Sequence, residues 1–276
     1  MKYIFFDVDN TLWDDRFRIP ESAVYALREL RAHGHKIFLN SGRSKANLQD
    51  PSLQALGFDG FIAACGCHIE EDGETIYEYT VPWELTQRVL RLLPAEHMPF
   101  VAEGTDYCYF NLEDFPDDPY VDILFERLGP LAKRLGEMTP ESRVNKFSAD
   151  IHSDTDFEKV RRLLPEMSFI NHDNFVVEVV PKGFTKGAGL RHLSALRGID
   201  RQDIYVFGDG MNDLEAFHFA GHPIAMRNGN PALFPLAEYV TGTLHEDGIL
   251  NAVRHYGLIR GCRRECASAV YKARSN

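Results

Sequence analysis

Two carboxylates sit two residues apart where an apolar run stops. Tyr3-Ile-Phe-Phe6 has the aromatic and β-branched composition of a buried strand, and Asp7-Val-Asp9-Asn-Thr11 follows at once. Residues two apart on a strand project to the same side, so Asp7 and Asp9 address one small volume if the extended geometry persists. Like charges held that close need a reason: a shared divalent cation is one, and a proton-transfer role for the second acid is another. A strand ending in an Asx-rich turn is the plain alternative, because Asp, Asn and Thr are ordinary turn residues.

Comparable groups recur at later apolar runs. Asn40-Ser-Gly-Arg43 follows Lys36-Ile-Phe-Leu39, Lys186 opens an amphipathic stretch, and Gly208-Asp-Gly-Met-Asn-Asp213 follows Asp203-Ile-Tyr-Val-Phe207. Asp7 and Asp209 offer the hard oxygen ligands that suit Mg²⁺, which takes one or two carboxylates together with waters and phosphate oxygens. The Ser41 hydroxyl, the Lys186 ammonium and the Asn212 amide are the donors a phosphoryl group wants. Each taken singly reads as a turn residue or a solvated lysine; jointly, at successive strand ends, they read as a site.

The elements that must bring them together are legible in outline. Pro20 to Gly34 has apolar residues at Val24, Leu27 and Leu30, with Pro near its start and Gly at its end, which predicts an amphipathic helix. Strand, helix, strand at this spacing is a βαβ unit, so the ends of both strands lie on one sheet edge. A third strand is expected at Phe61 to Ala64 and a hairpin turned at Glu71-Asp72-Gly73. From Trp83 the pattern changes: helix to Leu93, paired strands over Phe100 to Leu112, helix over Val121 to Leu135 broken or kinked at Pro130, strand Val144 to Ile151, helix Phe157 to Leu164, and two strands within Met167 to Val180 turned at His172-Asp173-Asn174. The core pattern then resumes with the helix Lys186 to Arg197 capped by Thr185, strands at Pro223 to Met226 and Tyr239 to Thr241, and a closing helix Gly248 to Tyr256. The expected fold is α/β: a doubly wound, mainly parallel Rossmann-like core sheet from residues 1–81 and 183–276, with residues 82–182 as an inserted α+β domain.

Composition bounds the rest. The 276 residues carry 41 acidic and 30 basic side chains, a net charge of −11, which argues against a nucleic-acid footprint over the whole surface. No run approaches the roughly 18 apolar residues of a membrane span. Five cysteines, at 65, 67, 108, 262 and 266, form neither an even disulfide set nor a zinc spacing, and a cytoplasmic location is expected. The tail from Arg260 has five basic residues against one acidic and is read as a frayed or surface helix.

Asp7-Val-Asp9-Asn-Thr11 resembles the DxDxT signature of the haloacid dehalogenase superfamily, and Gly208-Asp209-Gly-Met-Asn212-Asp213 is similar to its acidic GDxxND motif. Ser41-Gly-Arg43 resembles the second motif and Lys186 the lysine of the third, in the family's order. An insert of this size between the second and third motifs looks like the cap of the Cof-type sugar-phosphate phosphatases. Two positions depart from that pattern: Asn10, where glycine is more usual, and Cys65-Gly-Cys67, where an Asn-Gly pair is common. The resemblance implies a Mg²⁺-dependent phosphatase acting on a small phosphorylated metabolite, as a monomer or small homo-oligomer. It makes Asp7 the nucleophile that forms an aspartyl-phosphate and Asp9 the acid and base. Asp7, Asp209 and the backbone carbonyl of Asp9 would be metal ligands, with Asp213 in support, and Ser41, Lys186 and Asn212 would hold the phosphoryl oxygens.

A phosphomutase, or a phosphorylation-switched signalling domain, would use similar groups; the large insert and the second aspartate weigh against the switch. Tyr107, Tyr109, Lys146, His152, His172, Asn174 and Glu178 bring polar groups to the insert, and none is assigned to the site.

Overall fold

Aromatic packing on both faces holds the opening strand at the centre of the molecule. The computed structural model describes residues 1–116, 118–172 and 175–260. Tyr3–Phe6 runs parallel to Lys36–Asn40 on one side and to Ile204–Gly208 on the other. Phe5 stacks on Phe38 with ring centroids 5.1 Å apart, and Phe6 stacks on Phe207 at 4.8 Å. Neighbours on a strand alternate faces. Ile4 and Phe6 therefore enter a core shared with the helices Glu21–Ala32 and Gly248–His255, while Phe5 enters a second core with Leu190 and Leu193 of the helix Lys186–Arg197.

Outward from this centre the sheet continues in parallel through His222–Ala225 and Tyr239–Val240 on one side and through Gly60–Ala63 on the other. The hairpin His68–Glu71 and Glu74–Glu78 then adds two antiparallel strands at that edge, which completes eight. The result is the doubly wound, mainly parallel sheet that the strand–helix alternation predicts, with the carboxyl ends of its central strands facing one way.

A second sheet has six strands in the order Met167–His172, Val176–Pro181, Val144–Asp150, Phe100–Gly104, Cys108–Phe110, Ala132–Arg134. One face is apolar, through Phe100, Ala102, Phe147 and Val179, and packs on the helices Trp83–Ala95 and Phe157–Leu163 through Val89, Leu93 and Val160. Glu103 pairs with Lys146, and Glu178 with Ser148, on the other face, which is turned to the core.

The expected helix from Val121 to Leu135 is shorter. It spans Pro119–Leu128, capped by the Asp118 carboxylate, and stops at Gly129, whose φ of +52° leaves the helical region. Pro130 lies in the turn beyond, and Ala132–Arg134 becomes an edge strand beside Cys108–Phe110, because a proline there can neither donate a helical hydrogen bond nor keep the preceding residue helical. The turn residues Asp173 and Asn174, the His172 side chain and the basic tail beyond Arg260, with Cys262 and Cys266, lie outside the described residues. Among the described residues, no helix is long and apolar enough to cross a membrane.

Candidate active site

Asp7 leaves the central strand with its N–H still in the ladder, donating to the Phe207 carbonyl at 3.0 Å. Its side chain thus continues the Phe5 face, toward the helix Lys186–Arg197. Thr185 caps that helix, its hydroxyl accepting from Ala188 N at 3.0 Å, and so places Lys186 in the first turn. Lys186 is fully buried, and its Nζ donates to Asp7 Oδ1 at 2.6 Å and to Asp213 Oδ1 at 2.8 Å. The second oxygen of Asp213 accepts from the backbone N–H groups of Asp209 and Gly210 at 3.0 and 3.1 Å, folding the turn back on itself. Gly208 is required at its start: a Cβ there would lie 2.4 Å from the Asp213 carboxylate. Thr11 reaches across from the first loop and donates to Asp209 Oδ1 at 3.0 Å.

Three carboxylates converge here on one ammonium. Asp7, Asp209 and Asp213 each offer an oxygen within 4.8 Å of the others. Burial pushes Asp7 well above the usual carboxylate range; Lys186 pulls it back only in part, and the charges of Asp213 and Asp209 add to the rise. Burial, then the Asp213 charge, pushes Asp209 up to about 7 against Lys186 and the Thr11 hydrogen bond. An all-oxygen donor set with surplus negative charge fits a hard divalent cation such as Mg²⁺.

The carboxylate of Asp9 is outside this trio. Two residues apart on an extended strand would share a side, but the strand ends at Phe6, before either aspartate. Asp9 Oδ1 accepts from Trp13 Nε1 at 2.9 Å, and Arg43 grips both oxygens, Nε to Oδ2 at 2.8 Å and Nη2 to Oδ1 at 2.7 Å. Burial alone would raise Asp9; the charge and hydrogen bonds of Arg43, helped by Trp13, outweigh it, and the carboxyl lies below its ordinary value. Arg43 is fixed in turn by Asn47 Oδ1 at 2.8 Å, by Tyr120 Oη at 2.7 Å, and by the Trp13 ring, whose centroid is 5.1 Å from the guanidinium carbon. Asn10 is accounted for as well. Its left-handed conformation is one that asparagine tolerates better than most residues, and its carbonyl accepts from Asn228 Nδ2 at 2.7 Å.

Ser41 is buried just past the Lys36–Asn40 strand, its Oγ accepting from Arg43 N at 3.1 Å. Asn212 is half-buried in the turn Met211–Asp213 that leads from Asp209 to the next helix. Sequence reasoning assigned no role to Thr11, Trp13 or Arg43. The first and third lie inside the short motifs, yet nothing in residue type says which carboxylate each would take. Of the polar residues considered in the insert, Lys146 and Glu178 reach the core, whereas Tyr109 donates to Ser142 within the insert at 3.0 Å.

Comparison with known proteins shows the family. Residues 4–253 match the family model of the haloacid dehalogenase-like hydrolases. The chain is 31% identical over 261 residues to YkrA of Bacillus subtilis, covering 94% of this chain and 99% of that one. It is 28% identical to 5-amino-6-(5-phospho-D-ribitylamino)uracil phosphatase YitU of the same organism, covering 91% of this chain and 95% of that one. Among solved structures, the HAD subclass IIB sugar phosphatase BT4131 superposes with a TM-score of 0.77 at 27% identity, over 94% of this chain and all of that one. The chain belongs to the haloacid dehalogenase-like hydrolases and has the fold of their subclass IIB phosphatases.

Proposed function

We propose that the protein hydrolyses phosphomonoesters of small metabolites, sugar phosphates foremost, with Mg²⁺ and through an aspartyl-phosphate on Asp7. The observation that carries this reading is the position of Asp7: at the end of the central strand, one oxygen on Lys186, within the carboxylate trio. Asp7, Asp209 and Asp213, with the Asp9 backbone carbonyl, would hold the cation, which when bound neutralises phosphoryl charge and aligns the group. An Asp7 oxygen attacks phosphorus, the bond to the leaving oxygen breaks, and Asp9 delivers a proton to that oxygen. Water then attacks phosphorus, Asp9 takes its proton, and the Asp7 carboxylate is released with inorganic phosphate. Asp9 is ionised at rest beside Arg43, and an approaching phosphoryl anion favours its protonation. Ser41, Lys186 and Asn212 would hold the phosphoryl oxygens, and residues 82–182 would close over the site and exclude water during transfer.

Sugar phosphates are favoured by the likeness to a sugar phosphatase and to a phosphatase of a ribityl phosphate. The buried, unpaired Cys65, Cys67 and Cys108 suit a reducing, cytoplasmic setting. The test is phosphate release from a panel of sugar phosphates. Turnover is expected with Mg²⁺ and not after chelation, and Asp7→Ala is expected to show none. Magnesium-independent turnover, full activity of Asp7→Ala, or an isomerised sugar phosphate in place of free phosphate would overturn the proposal.

A further inference from the structure

The second sheet touches the loop after Lys36–Asn40 through Lys146, Glu103 and Cys108, whose Sγ lies 3.5 Å from Ser44 Oγ, and its neighbouring helix touches it through Tyr120. Lys146 Nζ donates to the Gly42 carbonyl oxygen at 3.0 Å, Arg43 Nη2 donates to Tyr120 Oη at 2.7 Å, and Ser44 N donates to Glu103 Oε2 at 3.2 Å. Behind these contacts Lys146 Nζ is 3.2 Å from Glu103 and 3.3 Å from Glu178, and Cys65 Sγ donates to Glu178 Oε2 at 2.7 Å. Lys146, Glu103, Glu178 and Cys65 are all less than a tenth exposed. The approach is close at Gly42 as well: a Cβ there would lie 2.1 Å from Glu178 Oε1 and would displace that carboxylate.

None of these groups takes part in the reaction steps above, and their burial needs a reason. Desolvating an ammonium and two carboxylates gives little net stability over apolar packing of the same volume. A polar seam does something an apolar one cannot: its charges are rehydrated when the two bodies part and find one register when they meet. Gly42 lies between Ser41, whose hydroxyl faces the phosphoryl group in the proposed reaction, and Arg43, which grips Asp9. Whatever holds the Gly42 carbonyl and the Ser44 N–H therefore sets both side chains.

We propose that Lys146 and Glu103 are positioning residues. They hold the backbone of residues 42–44 from the cap side, so that Ser41 and Arg43 take their working geometry only when the cap is closed. Closure and assembly of the phosphate loop are then one event, and an open enzyme is incomplete as well as wet. This rests on the phosphatase reading above.

The test uses the full chain with Lys146→Met, which keeps the side-chain length and removes the donor, and Glu103→Gln, which keeps the shape and removes the charge. With Mg²⁺, p-nitrophenyl phosphate and a hexose phosphate are turned over in parallel. The kcat of Lys146→Met is expected to fall at least about tenfold by the same factor on both substrates, with KM changed less than about threefold and part of the loss restored in Lys146→Arg. Hydrogen exchange over residues 40–48, measured without substrate, is expected to quicken about tenfold while the central strand keeps its protection. A folded Lys146→Met with kcat within twofold of the wild type, a loss confined to KM for the hexose phosphate, or unchanged exchange over 40–48 would each overturn the proposal. If Lys146→Met does not fold, Glu103→Gln carries both readouts, with changes of roughly threefold expected. If the wild type releases no phosphate from any substrate, the phosphatase reading fails, and the exchange measurement still decides the positioning role.

Discussion

Arg43 holds Asp9 with two parallel hydrogen bonds, Nε to Oδ2 at 2.8 Å and Nη2 to Oδ1 at 2.7 Å. A lysine cannot reproduce this fork. Arg43→Lys and Arg43→Met are both expected to lower kcat by about 100-fold, the low end of what a positioned acid–base group contributes. Steady-state kinetics at saturating Mg²⁺ check it. A pH signature accompanies the change. Asp9 is held below its unfolded value, so the pair stabilises the fold above about pH 4 and stops doing so as pH falls through the lowered folded value. The stability deficit of Arg43→Met relative to wild type should accordingly shrink in acid, as read from urea midpoints at pH 7 and below pH 4.

Asp7 and Asp209 have the opposite sign. Both are raised, Asp209 to about 7, so the native state binds protons that the unfolded chain has already released between about pH 4 and 7. Without metal, stability should therefore increase as pH is lowered from 8 toward 5, by up to about 1.4 kcal/mol per pH unit for one such group. Saturating Mg²⁺ should flatten the trend, because on the proposed reading the cation would bind the ionised carboxylates. Thermal melts at several pH values, with Mg²⁺ and with a chelator, make the comparison.

Removing Lys186 tests the same cluster from the cationic side. Lys186→Met leaves Asp7 and Asp213 buried with no counter-charge, and loss of one partner of a buried ion pair typically costs about 3–5 kcal/mol. Urea unfolding without metal should show a loss of that order, partly recovered by added Mg²⁺, and turnover should be absent.

Cys65 sits in the left-handed region, with φ at +54°, where asparagine is more at ease than a thiol-bearing residue. Cys65→Asn is expected to stabilise the chain by roughly 0.5–1 kcal/mol in urea unfolding, since the amide also offers a donor to Glu178. Cys65→Ala, which offers no donor, should destabilise it.

The central strand and the groups at its end are legible in sequence because they depend on short-range regularities: an apolar run, an abrupt stop, a carboxylate, and a repeat of that grammar at Ser41 and Asp209. The side-chain partners are not. Arg43 is four residues beyond Leu39, and residue type alone cannot say that it takes Asp9 and leaves Asp7 to Lys186; that choice is made in the fold, which brings Arg43 to one carboxylate and Lys186 to the other after the strand has ended at Phe6. The helix Pro119–Leu128 is an intermediate case, for the apolar period runs on past Gly129, and the break is legible only in Pro130 while the strand that follows it is not. Glu103 carried no signal at all, because a glutamate on a strand reads as solvated until the strand beside it supplies Lys146.

The placement of Tyr3–Phe6 between Lys36–Asn40 and Ile204–Gly208 also governs how the molecule is made. Tyr3 pairs with Ile204, so one edge of the first strand stays open until roughly 200 more residues have been synthesised, some 10–40 s at about 5–20 residues per second. During that interval Phe6 has no Phe207 to stack on and Phe5 has no Leu190 and Leu193 to cover it, whereas all six strands of the inserted sheet have already been synthesised. The nascent chain thus carries a completed insert sequence ahead of an unfinished core, and its longest exposure to misassembly falls on the segment that bears Asp7.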